Sequence, residues 1–139
     1  MPIDARLADV ARVVGYHLES QRVAPGGERN VTIYWEPLAR TVQPYTVFVH
    51  LYEPSVGSIA QRDTYPGLGN YATVVWDPGR VFADTYRIYL PAEAPGVENA
   101  TILLGLYDEA TGERLPVKGS DAGPADMAWT QFGSVAVVP

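Results

Sequence analysis

Apolar residues recur at every second position in several short runs, and this period of two is the clearest signal in the chain. Residues 29–37, RNVTIYWEP, place Val31, Ile33 and Trp35 on one face and Asn30, Thr32 and Glu36 on the other. That alternation is what a half-buried strand requires. Residues 45–53, YTVFVHLYE, put Val47, Val49 and Leu51 on one face and Phe48, His50 and Tyr52 on the opposite one. Both faces are rather apolar, which predicts a central strand. Residues 81–90 turn Phe82, Tyr86, Ile88 and Leu90 inward, and residues 99–108 do so with Ile102, Leu104 and Leu106. Residues 12–19 point Val14, Tyr16 and Leu18 the same way, and a last strand at about 129–138 is weaker in pattern but rich in valine. Residues 4–13 space Leu7, Val10 and Val13 about a helical turn apart. So short a helix is marginal alone, and a first strand is the expectation there.

Turn residues separate these runs. Pro25-Gly26 and Pro78-Gly79 fit type II turns, in which proline presets the second position and glycine takes the positive φ at the third. DEATGER, residues 108–114, reads as a hairpin loop with Gly112 left-handed, pairing the 99–108 strand with a short strand near 113–118. Pro44, Pro54, Pro91 and Pro95 bracket strands, where a missing N–H is tolerated. Seven to nine short strands without a long helix predict an all-β fold, an antiparallel β-sandwich of immunoglobulin-like or jelly-roll topology. It should form a single domain over residues 1–139, in which residues 1–11 could be a marginal N-terminal segment.

Composition narrows the function more than it names it. The chain has 139 residues, enough for one core, and is 47% hydrophobic, so disorder is excluded. The net charge of −6 argues against nucleic acid, since no basic surface is there to displace counterions from phosphates. The ten Lys and Arg are scattered along the chain and form no stripe. There is no cysteine, hence no disulfide scaffold, thiolate metal site or cysteine nucleophile. No run of 18 apolar residues is present, so no membrane span is expected. The N-terminus lacks the basic and apolar pattern of a signal peptide; if the domain is exported, its signal or anchor lies outside this chain.

Candidate chemistry is sparse. The histidines, His17 and His50, lie inside predicted strands, and none of Ser20, Ser55, Ser58, Ser120 and Ser134 sits in a Gly-x-Ser-x-Gly elbow. Sixteen acidic residues guarantee some neighbouring carboxylates, so Asp63, Asp77, Asp84, Glu36 and Glu53 carry little signal as an acid–base pair. Asp84 could turn inward beside Tyr86 as a buried, hydrogen-bonded group. No metal motif is present and no cofactor is required; residues 119–126 and 63–70 are the oxygen-rich stretches to consider if calcium binds. The reading is therefore of a domain that is not an enzyme. Aromatic residues are the better lead, because Tyr and Trp faces stack on sugar rings while Asn, Asp and Arg bind hydroxyls. Asp63, Tyr65, Asn70, Tyr71 and Trp76, with Arg62 at the base, form the candidate ligand site. Trp35 reads instead as a core plug.

The stretches VVGYHLESQRVAPGGERNVTIYWEPL, YTVFVHLYEP, IAQRD, WDPGRVFADTYRIYLP and LLGLYDEATGERLPV resemble a domain found in bacterial multi-span membrane proteins. Those proteins are similar to dolichol-phosphate-mannose-type glycosyltransferases. The resemblance covers about residues 12–118, with Gly15-Tyr16, Pro25-Gly26, Tyr34-Trp35, Gln61 to Asp63, Trp76 to Gly79 and Gly105 to Asp108 as its signposts. It implies a β-sandwich on the extracytoplasmic face of a bacterial membrane, beside a membrane-embedded partner or domain. It supplies no catalytic residues. In outline the chain is also similar to the sugar-binding sandwiches attached to O-antigen exporters. The function expected is a non-catalytic accessory domain that binds carbohydrate in cell-envelope glycan handling. The alternative is a structural or protein-interaction module, monomeric or weakly homo-oligomeric through unpaired edge strands.

Overall fold

A computed structural model of the protein describes residues 1–39, 44–64, 77–108, 110–123 and 128–138. Ten strands form among them: β1 (Pro2–Leu7), β2 (Ala11–Leu18), β3 (Arg22–Val23), β4 (Glu28–Pro37), β5 (Tyr45–Glu53), β6 (Gly57–Thr64), β7 (Phe82–Tyr89), β8 (Val97–Asp108), β9 (Val117–Lys118) and β10 (Thr130–Val137). No described residue is helical. The strands make two five-stranded sheets, in the orders β7-β4-β2-β1-β9 and β3-β10-β8-β5-β6. The ladders are antiparallel apart from a short parallel contact of β3 with the end of β10. The protein is thus an all-β sandwich.

Alternation places the core between the sheets. Val31, Ile33 and Trp35 of β4 face Val47, Val49 and Leu51 of β5 and Ile102, Leu104 and Leu106 of β8 across the interior, and all nine are buried. β5 pairs on both sides, with β8 and β6, as the central strand that its two apolar faces predict. The two Pro-Gly turns close as expected. Gly27 N–H donates to Ala24 O at 2.9 Å and Arg80 N–H to Asp77 O at 3.2 Å, with Gly26 and Gly79 at positive φ.

A polar chain runs through the interior. Trp35 Nε1–H donates to the Tyr86 hydroxyl at 3.1 Å, and that hydroxyl is in turn hydrogen-bonded to the carboxylate of Asp84. Burial first, and then Asp84, push the Tyr86 phenol well above its ordinary pKa. Asp84 does turn inward beside Tyr86, as its place in the alternation suggests.

Three expectations are corrected. The strands number ten among the described residues, because the two-residue β3 and the polar β6 carry too weak a period to be read from sequence. Residues 4–13 do begin in the expected first strand, and none of them is helical. β1 lies between β2 and β9 with Ile3, Ala5 and Leu7 in the core, and the turn after Leu7 supplies the spacing that mimicked a helix. In β2 it is Val13 that points fully inward, not Val14. A bulge between Val13 and Gly15 inserts one residue, which shifts the alternation so that Tyr16 is inward again. Finally, Gly112 takes the expected left-handed conformation at φ 73°, but among the described residues only a bridge at Tyr107–Arg114 extends the hairpin. The chain then crosses sheets, and β9 pairs with β1 instead.

Candidate functional site

Of the expected ligand site, Asp63 lies among the described residues. Tyr65, Asn70, Tyr71 and Trp76 lie outside them. β6 gives Asp63 and its neighbour Arg62 opposite surroundings, because consecutive strand residues face opposite ways.

Asp63 sits opposite Phe48 on the outer side of the second sheet. There the Tyr107 hydroxyl donates to its Oδ2 at 3.0 Å, and His50 Nε2 lies 3.9 Å from its Oδ1. Phe48 also points away from the interior, yet it is only 2% exposed. The reason is a second, smaller packed layer. The Arg114 guanidinium stacks 4.5 Å from the Phe48 ring and 5.6 Å from Trp129, and Trp129 leans on Tyr52 at 6.3 Å. Gly105 faces Phe48 across the ladder, and a Cβ there would stand 2.3 Å from the ring. Asp63 is therefore an acceptor on the rim of a packed cluster. Burial lowers the His50 pKa, against the pull of Asp63 and with the help of the Arg114 charge. The Tyr107 pKa is raised, chiefly by burial and then by Asp63.

The His50 shift has a measurable consequence. The unfolded chain takes up the imidazole proton near the ordinary value of 6.5, while the folded protein resists it to lower pH. Over that interval the unfolded state binds more protons, so stability is expected to rise with pH until about 6.5 and then level off. Urea midpoints between pH 5 and 8 for the native protein and His50→Gln check this. The variant should lose that part of the slope; an unchanged slope would assign it to other groups.

Arg62 faces the other way. It stands opposite Val49, whose side chain fills the core, and so it points towards the first sheet at the open side of the sandwich. Its Nε is buried without a hydrogen-bond partner among the described residues. Arg62 there lines a groove of about 320 Å³ with Asn30 of β4 and Thr85, Arg87 and Tyr89 of β7. The register builds this groove: Asn30 is opposite Arg87, Thr32 opposite Thr85 and Glu28 opposite Tyr89. Arg87 Nε–H donates to Asn30 Oδ1 at 3.3 Å, and its Nη1 lies 3.9 Å from Glu28 Oε1. The Thr32 and Thr85 hydroxyls share a hydrogen bond of 2.9 Å, and Glu19 holds Asn30 from below through its backbone and side-chain N–H groups. The Tyr89 hydroxyl, and then Glu28, raise the Arg87 pKa and keep its charge firm. Tyr89 itself is 55% exposed. The groove thus offers one open aromatic face beside an amide, a hydroxyl and two guanidinium groups.

Sequence reasoning names Arg62 at the base of its site, places Asn30 only on the polar face of a strand, and passes over Thr85, Arg87 and Tyr89. The signal was there: they are the outward half of the same alternation that turns Asp84, Tyr86 and Ile88 inward.

Other chemistry finds no assembled site. The five serine hydroxyls bond to Arg22 O, Glu53, Ala60 O, Asp4 and Asn99, not to an imidazole. Among the described residues, no three His, Cys, Asp or Glu side chains group closely enough to hold a metal. In the 119–126 stretch, Asp121 accepts the Asp4 N–H, which commits that carboxylate to structure. Between the sheets, beside Leu51, Ile88 and Ile102, the free volume is about 10 Å³, enough for about one water. No described helix is long and apolar enough to cross a membrane.

No family model matches the chain, and no curated protein matches it. Among solved structures it is similar to a Niemann-Pick type C2 protein from Japanese carpenter ant, with a TM-score of 0.54 and 11% identity over 94% of this chain and 95% of that one. The likeness is one of fold, and it agrees with the two-sheet sandwich described above.

Proposed function

We propose that this chain is a non-catalytic binding module that takes carbohydrate in the groove between Arg62 and Tyr89. The observation that carries the reading is the exposed Tyr89 ring set against Asn30, Thr85 and Arg87. A pyranose lays its C–H face on such a ring, while the planar amide and guanidinium groups bond its hydroxyls in pairs. Arg62 supports this with a buried N–H still to be satisfied. The setting we propose, glycan handling at the extracytoplasmic face of a bacterial envelope, rests on the resemblance of residues 12–118 to the module of membrane glycosyltransferase-like proteins.

A glycan and polysaccharide array with the purified protein tests this reading, run with calcium and with chelator. Specific glycans should bind equally in both conditions, since the groove uses no metal. Tyr89→Ala should weaken them about tenfold by removing the stacking face, at unchanged fold. A blank array in both conditions would overturn the carbohydrate reading. A second reading, self-association, is favoured by one observation: β7 is eight residues long and ends its sheet. Sedimentation at rising concentration would reveal it.

A further inference from the structure

The ten basic residues look scattered in sequence, but the fold gathers three of them on one rung. Arg6 of β1 stands directly opposite Arg12 of β2 on one side and Lys118 of β9 on the other. All three are exposed on the outer face of the first sheet. Like charges directly opposite in an antiparallel pair repel. In a chain of net charge −6, acidic residues are in ample supply to alternate with them, so the rung is a local inversion of the protein's own charge. Two of the cations are partly offset. Arg12 lies 3.5 Å from Glu36 at the far end of the rung, and Arg6 lies 3.1 Å from Asp9. The Asp9 side chain is 96% exposed, which makes its pair with Arg6 a weak one that a better anion can displace. Lys118 has no ion-pair partner among the described residues.

Beside this rung the surface is concave. A cleft of about 410 Å³ is lined by Arg6, Ala8, Asp9, Pro116 and Lys118. Its shape is fixed by backbone: Ala8 takes a left-handed conformation with φ 47°, and its N–H donates to Pro116 O at 2.9 Å. Arg6 Nε–H is anchored on Ala8 O at 3.1 Å, which leaves the outer edge of the guanidinium turned to Asp9.

We propose that this cleft binds a phosphate-bearing anion, held by Arg6 and Lys118 with Arg12 adding charge from the next strand. The guanidinium supplies a paired hydrogen-bond fork for two phosphate oxygens and the ammonium supplies a point charge. The negative net charge of the protein opposes long-range capture, so recognition depends on contact inside the cleft. The volume exceeds that of a bare phosphate and admits the group attached to it. The chemistry is shared by a soluble phosphate ester and an anionic lipid headgroup. The site lies at the β9 edge of the first sheet and the carbohydrate groove at its β7 edge, so neither proposal depends on the other.

The test titrates the full chain with inorganic phosphate and glycerol phosphate, followed by NMR at the Lys118 and Arg6 signals. In parallel, vesicles of phosphatidylcholine are compared with vesicles also containing phosphatidylglycerol. Saturable binding is expected, weakening as salt rises. Lys118→Gln and Arg6→Gln should each reduce it about tenfold, the loss of one charge-assisted contact. Arg80→Gln, a change in the turn before β7, should leave it unchanged. Because Lys118 holds β9 through its backbone, Lys118→Gln should melt with the native protein, and the loss is then one of binding. Binding of the soluble esters alone assigns a phosphate ester. Binding to the phosphatidylglycerol vesicles alone assigns a headgroup. The proposal is overturned if no anion binds saturably, or if Arg80→Gln weakens binding as much as Lys118→Gln does.

Discussion

Placing alanine at Gly119 is expected to cost about 3–5 kcal/mol, a large effect for a single methyl group. Two causes act together. Gly119 has φ 126°, a conformation that a side chain strains. A Cβ there would also stand 2.3 Å from Asp4 O and 2.9 Å from Asp4 C, both backbone atoms of β1. Neither can step aside, because Asp4 is pinned on every side. Its O accepts from Asp121 N–H at 3.0 Å, its N–H donates to Asp121 Oδ2 at 2.7 Å, and its carboxylate takes the Ser120 N–H and hydroxyl at 3.0 Å each. Gly112 provides the comparison. It too has positive φ, 73°, but open space surrounds it, so Gly112→Ala should cost only about 1 kcal/mol. Urea unfolding of both variants decides the matter. Equal costs would mean that the 119–121 segment does not press on β1 as described.

Tyr86→Phe is the second large effect, about 2–3 kcal/mol, or a fall in melting temperature on the order of 10 °C. The substitution keeps the ring and its packing and removes only the hydroxyl. That hydroxyl accepts from Trp35 and bonds Asp84, so two buried polar groups each lose a hydrogen bond in a place where water cannot replace it. The pairing with Asp84 gives a sharper check. Tyr86→Phe and Asp84→Asn act on one chain of hydrogen bonds and should be non-additive in a double-mutant cycle. Additive costs would separate Tyr86 from Asp84 and reduce the chain to its Trp35 link.

Much of this fold is legible in the sequence where burial is one-sided. β5 is read correctly to its ends because Val47, Val49 and Leu51 alternate without interruption. Trp35 reads as a core plug from its apolar strand face and is fully buried. Asp84 reads as inward from its position two residues before Tyr86. The failures have physical reasons. β6, GSIAQRDT, lies at the sheet edge and sends only Ile59 and Ala60 into the core, adjacent residues that give no period of two. The bulge in β2 has no period of its own and simply moves Val13 and Val14 out of phase. The partner of β9 could not be read because Pro116 sits between a hairpin bridge on one sheet and a ladder on the other.

The candidate site was legible in part for a similar reason. Aromatic residues in a loop draw attention, and they point to Asp63, Tyr65, Asn70, Tyr71 and Trp76. Tyr89 is part of a regular strand and looks like ordinary alternation until the register sets it beside Arg87 and Asn30. The same holds for Arg12, Arg6 and Lys118, which are far apart in sequence and become neighbours only through two ladders.

Amide and guanidinium NMR of the protein, titrated with the strongest glycan from the array, locates the binding face. Shift changes are expected at Asn30, Thr85, Arg87 and Tyr89 and at the Arg62 Nε–H, with the signals of His50, Asp63 and Tyr107 undisturbed. Changes confined to His50, Asp63 and Tyr107 would contradict this expectation and move the binding face to the outer side of the second sheet.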